Sequence, residues 1–404
     1  MANDQRGGAA VFRFANFRFL LAGRFVWNLG LQMLSLALAW RVYELTHDPF
    51  ALGLIGLFTF APALPLSFVT GAVADRHDRR MVLALTCVAL LAALAAFIAA
   101  PESLGVWPAY ALVVVVGGAR AFSQPASMSL LSNIVPDAEF PSATAWSNTS
   151  NQLATILGPS IGGLLYPFGH RVPFTLSFAL GAVALATTLM IGTPTASGRK
   201  RPPVNLVMLL AGWRFIWMSP AVLGAMSLDL VAVFFGGATA LLPVYASDVF
   251  HVGPWGLGLL RSSLAAGSIL AALALAHTPL GGRVGLVLLG AVFAYGGATI
   301  GFGLAPNMAV GMVCLAVLGA ADSISVVIRQ SLVQINTPDE MRGRVASVHN
   351  IVASASNNLG DFESGTLASI MGATTTIVFG GVCAVIASGL WGRLFPDLRA
   401  RERL

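Results

Sequence analysis

Four charged residues lie inside long apolar stretches of this 404-residue sequence: Arg24, Arg120, Asp229 and Asp322. A charge at the centre of a membrane-spanning helix costs about 2.5–3.5 kcal/mol on insertion scales, so a charge kept there indicates a function. An aspartate in such a place can take up a proton, and a nearby arginine can favour its release. Two interpretations stay open. Either Asp229 or Asp322 carries a proton, or arginine and aspartate pair as a gate or a static ion pair.

Polar residues at helical spacing extend this set. Between residues 344 and 371, four recur at steps of four, three and four, which places them on one helical face: Asn350, Ser354, Asn357 and Asp361. Glu363 lies about 200° from Asp361 around that helix, so the two carboxylates face different ways, and Arg261 is a candidate partner for either. Two further groups are Asn148, Asn151, Gln152 and Thr155, and Trp27, Asn28 and Gln32 after Arg24. Such groups bind a substrate or join neighbouring helices.

The sequence lacks the residue patterns of metal, ATP-binding and nucleic-acid-binding sites. The six histidines are dispersed without metal-ligand spacing, and the three cysteines lie in apolar segments. No Gly-x-x-x-x-Gly-Lys-Ser/Thr loop is present to hold ATP phosphates. The net charge is +6, but the basic residues are scattered rather than gathered on one patch. We therefore expect no metal, cofactor, catalytic site or nucleic-acid partner, and energy supplied by a gradient.

The composition predicts which elements position these side chains. The chain is 56% hydrophobic and 10% charged, whereas soluble proteins carry about 25% charged residues. A membrane span needs about 20 apolar residues. Apolar windows predict twelve spans, near 19–43, 51–73, 81–100, 107–129, 142–167, 172–192, 219–246, 254–276, 284–304, 307–331, 344–371 and 374–395.

Basic residues predict the orientation of these spans. With the N-terminus inside, most of the 23 lysines and arginines are cytoplasmic, and only Arg41 and Arg171 fall outside. Arg329 is expected to extend towards the cytoplasmic interface. Both termini are then cytoplasmic. Residues 193–218 form a basic linker in which five apolar side chains share a helical face, as in an interfacial helix or in an ordinary linker: Leu206, Leu209, Leu210, Trp213 and Ile216.

The two halves of the chain are related by a shift of 202 positions. It matches Gly117 with Gly319, Pro136-Asp137 with Pro338-Asp339, and Arg120 with Asp322. Parallel repeats of six spans are a transporter architecture with the substrate site between the halves. The sequence therefore predicts an all-α integral membrane fold of twelve transmembrane helices in two pseudo-symmetric six-helix bundles, 1–192 and 219–404, joined by the linker 193–218.

Two motifs carry a family resemblance. Gly71-Ala-Val-Ala-Asp75-Arg76-His-Asp78-Arg79-Arg80 resembles the G-x-x-x-D-R-x-G-R-R loop of the major facilitator superfamily, with Asp78 in place of a glycine. Gly158-Pro159-Ser-Ile-Gly162-Gly163 is similar to its G-P-x-x-G-G antiporter motif. The chain is similar to the bacterial exporter-like subgroup that includes the enterobactin exporter. One departure is that the arginine the family places near Val116 is absent, and Arg120 stands one turn further on.

The resemblance implies roles for these residues. Spans 1, 4, 7 and 10 would line a central cavity, so the N-terminal half presents arginines there and the C-terminal half carboxylates. The gating residues would be Gly71, Asp75, Arg76, Arg79, Arg80, Gly158 and Pro159; alternatively, Arg79 and Arg80 only set topology, and the span 5 glycine and proline only pack or kink a helix. The residues for substrate or proton coupling would be Arg24, Trp27, Asn28, Gln32, Arg120, Asp229, Asp322, Asn357 and Asp361.

The expected function is proton-coupled export of a small organic molecule by alternating access in a bacterial inner membrane. The expected partners are the substrate, protons and the lipid bilayer, with the chain as a monomer. Arginines and aspartates together suit an amphipathic or anionic substrate. The alternatives are uptake or facilitated diffusion of an organic anion, and a membrane receptor without transport.

Overall fold

The computed structural model describes residues 10–76, 78–136, 138–192, 206–277 and 282–396, without the side chains of 64, 67–76, 206–209, 339 and 340. These residues form helices, and none of them lies in a strand. The α-helices are α1 (Ala15–Thr46), α2 (Pro49–Arg76), α3 (Arg79–Ala99), α4 (Trp107–Ile134), α5 (Phe140–Leu165), α6 (Val172–Met190), α7 (Leu206–Met218), α8 (Pro220–Phe235), α9 (Leu242–Val244), α10 (Gly253–His277), α11 (Val284–Gly303), α12 (Met308–Ile335), α13 (Asp339–Met371) and α14 (Ala373–Leu394).

Local sequence sets many helix ends. Prolines occupy the first turns of α4, α5, α6 and α8, where no intrahelical N–H bond is lost. The Asn307 side chain accepts a hydrogen bond of 3.0 Å from the Val310 N–H and so caps α12. Gly372, with φ +87°, ends α13 and lets α14 begin at the next residue.

The predicted all-helical membrane fold is confirmed. Among the described residues, seven helices are long and apolar enough to cross a membrane, and the bent pair α7–α8 adds an eighth. The long helices outside that group include α4, α5 and α13, which carry Arg120, the amide stripe and several charges. Their low hydropathy has a direct cause, since polar side chains replace apolar ones on one face.

The seventh predicted span, 219–246, is wrong as a continuous helix. α8 ends at Phe235, and the chain resumes helical structure only in α9 and a π-helical turn, Tyr245–Val249. At the break, the Gly236 carbonyl accepts hydrogen bonds from the Ala238 N–H (2.6 Å) and the Tyr295 hydroxyl (3.0 Å). Two successive glycines, Gly236 and Gly237, lower the cost of leaving the helix here.

The chain divides into two compact units. Unit 1 comprises residues 1–38 and 61–203, and unit 2 comprises 39–60 and 204–404. The division near residue 203 falls within the predicted linker, but the end of α1 and the start of α2 belong to unit 2. In unit 1, α3 packs against α4 and α6; in unit 2, α10 and α11 pack against α12, and α14 packs on α11.

Glycines allow close helix contacts within unit 2. A Cβ atom on Gly53 of α2 would lie 3.0 Å from the Phe362 carbonyl oxygen of α13, and one on Gly365 would lie 2.6 Å from the Gly53 Cα. A Cβ on Gly56 would lie 2.9 Å from the Asp361 Cβ. The backbones of α2 and α13 therefore touch at these glycines, while the Phe50 and Phe362 rings pack across the same two helices with centroids 6.0 Å apart.

The linker contains the helix α7, and the described side chains of its predicted apolar face lie in different surroundings. α7 bends by 104° from α8. Ile216 is 3% exposed and packs with Val345 and Val348 of α13. Leu210 and Trp213, expected on the same face, are exposed together with Trp217. Ile216 lies at the edge of the predicted apolar face, so contact with α13 buries it.

Candidate functional site

Unit 1 contains a polar cavity of about 390 Å³. It is surrounded by α1, α3, α4, α5 and α6. The lining residues are Leu20, Gly23, Arg24, Trp27, Asn28, Leu31, Gln32, Leu83, Cys87, Arg120, Ser123, Gln124, Ser127, Met128, Asn148, Asn151, Thr155, Ala184 and Thr188. The cavity is large enough for a small organic molecule.

Helical periodicity brings these polar groups together. On α1, Trp27, Asn28 and Gln32 follow Arg24 at spacings of three, four and eight, and all four predicted residues line the cavity. Asn148, Asn151 and Thr155 of α5 line it as well. Gln152 is not among the lining residues, because an adjacent position turns away from the face that its neighbours share.

The sequence reasoning missed part of α4. Ser123, Gln124 and Ser127 line the cavity with Arg120. They follow that arginine at spacings of three, four and seven, so the helical face of Arg120 was a signal that could have found them.

The two arginines give the cavity its charge. No acidic residue is present in the described lining, and neither Arg24 nor Arg120 forms an ion pair with a described carboxylate. The Arg24 Nη1 is buried and has no hydrogen-bond partner among the described atoms. Because an unpaired buried charge is strongly unfavourable, two guanidinium groups in one cavity form a site that favours an anion.

The carboxylates of unit 2 form a second group. Asp229 of α8 and Asp322 of α12 line a small cavity of about 10 Å³ with Tyr295 and Ser325. Asp229 forms an ion pair with Arg329, and the two side chains are 12% and 5% exposed. The expected extension of Arg329 towards the interface is therefore wrong: it turns inward because a buried carboxylate pairs with it.

Asp322 differs from Asp229 in its surroundings. No described basic residue forms an ion pair with Asp322. Its neighbours across the small cavity are Tyr295, Ser325 and Asp229. A proton added to Asp322 would thus remove a charge that no described arginine balances in an ion pair.

The predicted polar and acidic residues of α13 lie in different surroundings. Asp361 lies within electrostatic range of Arg261 on α10 and of Tyr295 on α11. Glu363 accepts a hydrogen bond of 3.2 Å from the Ser364 hydroxyl. Asn357 is exposed, donates a hydrogen bond of 2.8 Å to the Ala353 carbonyl, and lines neither cavity.

The loop motif before α3 is partly described. The side chains of Gly71, Asp75 and Arg76 lie outside the described residues. Asp78, which replaces the family's glycine, accepts a hydrogen bond of 2.9 Å from the Arg80 N–H and caps α3. The Arg80 guanidinium donates to the Leu189 carbonyl at the end of α6, and Arg79 begins α3.

The predicted gating pair of α5 lies inside a continuous helix. α5 runs through Pro159 to Leu165. A Cβ atom on Gly158 would lie 2.6 Å from the Gln32 Cβ and 3.0 Å from the Leu29 carbonyl oxygen of α1. Gly158 therefore sets the distance between α5 and α1, which are two of the helices that line the cavity.

Replacing Gly158 with leucine is expected to destabilise unit 1 by about 1–3 kcal/mol, because the added atoms overlap α1. The denaturation temperature of the purified protein in detergent, followed by circular dichroism, measures this effect. Gly297→Ala is the matched control, since a Cβ atom at that helical position meets nothing within 4 Å. Equal behaviour of the two variants would contradict the packing role of Gly158.

The chain is similar to known transporters over most of its length. The model of the Major Facilitator Superfamily matches residues 20–360. The enterobactin exporter EntS of Shigella boydii serotype 18 is 27% identical over 368 residues, which cover 90% of this chain and 86% of that protein. The same exporter from Escherichia coli O1:K1 / APEC is 27% identical over 371 residues, with the same coverage.

Solved structures share the fold. A bacterial homologue of the human lysosomal transporter Spinster, in an inward-facing and unoccupied conformation, has a TM-score of 0.72 at 15% identity and covers 95% of this chain and 98% of its own. The nucleoside transporter NupG has a TM-score of 0.72 at 15% identity, with 94% and 99% covered. The D-xylose–proton symporter has a TM-score of 0.71 at 13% identity, with 97% and 100% covered.

Proposed function

Because this chain belongs to the major facilitator superfamily, we propose that it exports a small anionic organic molecule in exchange for protons, by alternating access. The observation that carries the anionic substrate is the unit 1 cavity, in which two arginines that form no ion pair with a described carboxylate lie among amides and hydroxyls. Arginine binds carboxylate and similar groups through paired hydrogen bonds. Trp27 offers an aromatic face for an organic substrate.

The proton site of this proposal is Asp322. Asp229 already balances Arg329, so adding a proton to it would leave a buried arginine unpaired. Within the described part of the chain, Asp322 has no such partner, so its charge can change without breaking any ion pair found there. The exporter relatives and the proton-symporter neighbour support this direction and coupling.

The cellular setting is part of the same proposal. In this proposal the chain acts as a monomer in a bacterial inner membrane. The distribution of its basic residues favours cytoplasmic termini. The exposed side chains Leu210, Trp213 and Trp217 of α7 then contact the interfacial region of the bilayer. The gating roles of the loop motif and of Gly158 and Pro159 belong to the alternating-access cycle.

Proton flux in proteoliposomes tests the proposal. A pH-sensitive dye records proton movement while catecholate-type anions, cationic drugs and neutral amphiphiles are added in turn. Movement triggered by anions only is the expected result. Anion passage without proton movement would instead indicate facilitated diffusion. Movement of the anion in the same direction as the protons would indicate uptake. The absence of any anion passage would favour a receptor.

Replacing Arg120 or Arg24 with glutamine should raise the KM for the transported anion about 10- to 100-fold, because each loses a charged hydrogen-bond donor worth about 1.5–3 kcal/mol. Initial transport rates over a range of anion concentrations measure this change. Arg171→Gln, at an exposed position of the same unit, is the matched control. An unchanged KM in both cavity variants would refute the anion site.

A further inference from the structure

The helix α7 has an exposed face that is apolar and also carries a cation. Leu210, Trp213 and Trp217 are 60%, 47% and 59% exposed, and Arg214 is exposed beside them. The centroids of the Trp213 and Trp217 rings lie 6.2 Å apart. With 3.6 residues per turn, the four positions fall within an arc of about 100°. These four residues, here called the α7 face, therefore form one continuous surface.

α7 runs at a large angle to the helix that follows it. The axes of α7 and α8 are bent by 104° at Ser219. Because α8 belongs to the predicted seventh span, a helix at this angle to it lies along the membrane surface rather than through it. Tryptophan is enriched at the level of the lipid headgroups, since its ring is apolar and its N–H is polar. The α7 face therefore suits the boundary between headgroups and acyl chains.

The opposite side of α7 is packed against α13. A Cβ atom on Gly212 would lie 2.8 Å from the Arg344 carbonyl oxygen, so the two backbones are in contact there. Ile216 is buried and packs with Val345 and Val348. Because closely packed elements transmit a displacement, a change in the position of α7 shifts the start of α13.

Basic residues surround the α7 face. No acidic residue occurs between positions 191 and 228, whereas three basic residues precede α7 in the sequence: Arg199, Lys200 and Arg201. Arg342 and Arg344 lie near the start of α13, where the side chains of Asp339 and Glu340 are outside the described residues. No described carboxylate forms an ion pair with Arg214. Clusters of basic residues next to a membrane span recognise anionic lipid headgroups.

We propose that the α7 face binds an anionic phospholipid of the cytoplasmic leaflet. Leu210, Trp213 and Trp217 lie between the upper parts of the acyl chains, and Arg214 binds the lipid phosphate through charged hydrogen bonds. The bound lipid holds α7 on the membrane, and the contact of Gly212 with α13 then holds the start of that helix. This inference rests on the proposed interfacial position of α7, but it depends neither on the substrate nor on the proton site.

Titration of phosphatidylglycerol into the purified full chain in a neutral detergent tests the site. Native mass spectrometry gives the Kd of the first lipid bound. Arg214→Gln should raise this Kd about fivefold, which corresponds to the usual contribution of one basic residue at a membrane surface. The matched control Arg171→Gln, at an exposed position of unit 1, should leave the Kd unchanged. An equal Kd in the two variants would overturn the site.

Hydrogen exchange of the α13 backbone tests whether the lipid acts on that helix. In nanodiscs, the amides near Val345 should exchange about fivefold more slowly with phosphatidylglycerol than with phosphatidylcholine. Gly212→Leu separates α7 from α13 and should remove this difference, while the lipid still binds. Gly343→Leu is the control, since a Cβ atom there meets nothing within 4 Å. Equal exchange with both lipids in the unaltered chain would overturn the effect on α13.

Quenching of tryptophan fluorescence by brominated acyl chains separates this inference from the proposed position of α7. The double variant Trp213→Phe with Trp217→Phe should be quenched less than the unaltered chain. If it is, but phosphatidylglycerol binds no more tightly than phosphatidylcholine, the lipid inference alone is overturned. Equal quenching would overturn the interfacial position as well, and a doubled molecular mass would then assign the α7 face to a second copy of the chain.

Discussion

Replacing Arg329 with methionine is expected to destabilise the protein by about 3–5 kcal/mol. Arg329 and Asp229 form an ion pair between α12 and α8, with exposures of 5% and 12%. Methionine fills similar space but leaves the Asp229 carboxylate buried without its cation. The denaturation temperature in detergent should therefore fall more than in any other variant considered for stability.

The ion pair itself contributes less to the free energy of unfolding than the loss in Arg329→Met suggests. The double variant Asp229→Asn with Arg329→Met removes both charges and should regain most of the lost stability, because a neutral pair leaves no buried charge. Arg13→Gln is the matched control. Arg13 pairs with Glu139 at 3.2 Å but is 53% exposed, so its loss should cost at most about 1 kcal/mol. If Arg329→Met were as stable as Arg13→Gln, the ion pair between Arg329 and Asp229 would not stabilise the fold.

Replacing Asp322 with asparagine is expected to reduce proton-driven transport at least about 100-fold while leaving substrate exchange intact. Asparagine resembles the protonated acid in shape and charge, but it cannot release a proton. The variant should bind substrate in unit 1 and still exchange it across the membrane. Proteoliposomes measure both quantities: accumulation driven by a pH gradient, and exchange of labelled substrate at equal pH.

Glu363→Gln is the control for this experiment. Glu363 is another carboxylate of unit 2, but it does not line the cavity of Asp322. It should retain both proton-driven transport and exchange. Loss of exchange together with accumulation in Asp322→Asn would indicate a role in substrate binding or folding, and full accumulation would remove Asp322 from proton coupling.

Much of the fold is predictable because each span is long and apolar. Eleven of the twelve predicted spans coincide with single helices, including α4 and α13, whose polar faces lower their hydropathy. The break at Gly236 was not predicted, since it depends on a tertiary contact with Tyr295 in a distant helix. The mean hydropathy of a sequence window indicates whether a segment can lie in lipid, but it contains no information on a contact between two distant helices.

The candidate site was likewise predictable only in part. Arg24, Trp27, Asn28 and Gln32 share one face of one helix, so their spacing alone predicts their common cavity. The partner of Asp229 could not be predicted in this way. Arg329 lies 100 positions away on another helix, and only the packing of α8 and α12 shows that it turns inward. Pairing between helices is a property of three-dimensional distance, which spacing along the chain does not contain.

The glycine contact between α2 and α13 bears on the speed of the transport cycle. Gly53 and Gly365 meet backbone to backbone, with no side chains interlocked between them. At these glycines the two backbones can part and rejoin without rotamer changes, and the Phe50 and Phe362 rings, with centroids 6.0 Å apart, are a side-chain contact that also has to open. Little reorganisation therefore has to precede the motion at the glycines. The joint would therefore add a small kinetic barrier to each turnover and leave the rate to slower events, such as proton arrival or substrate release.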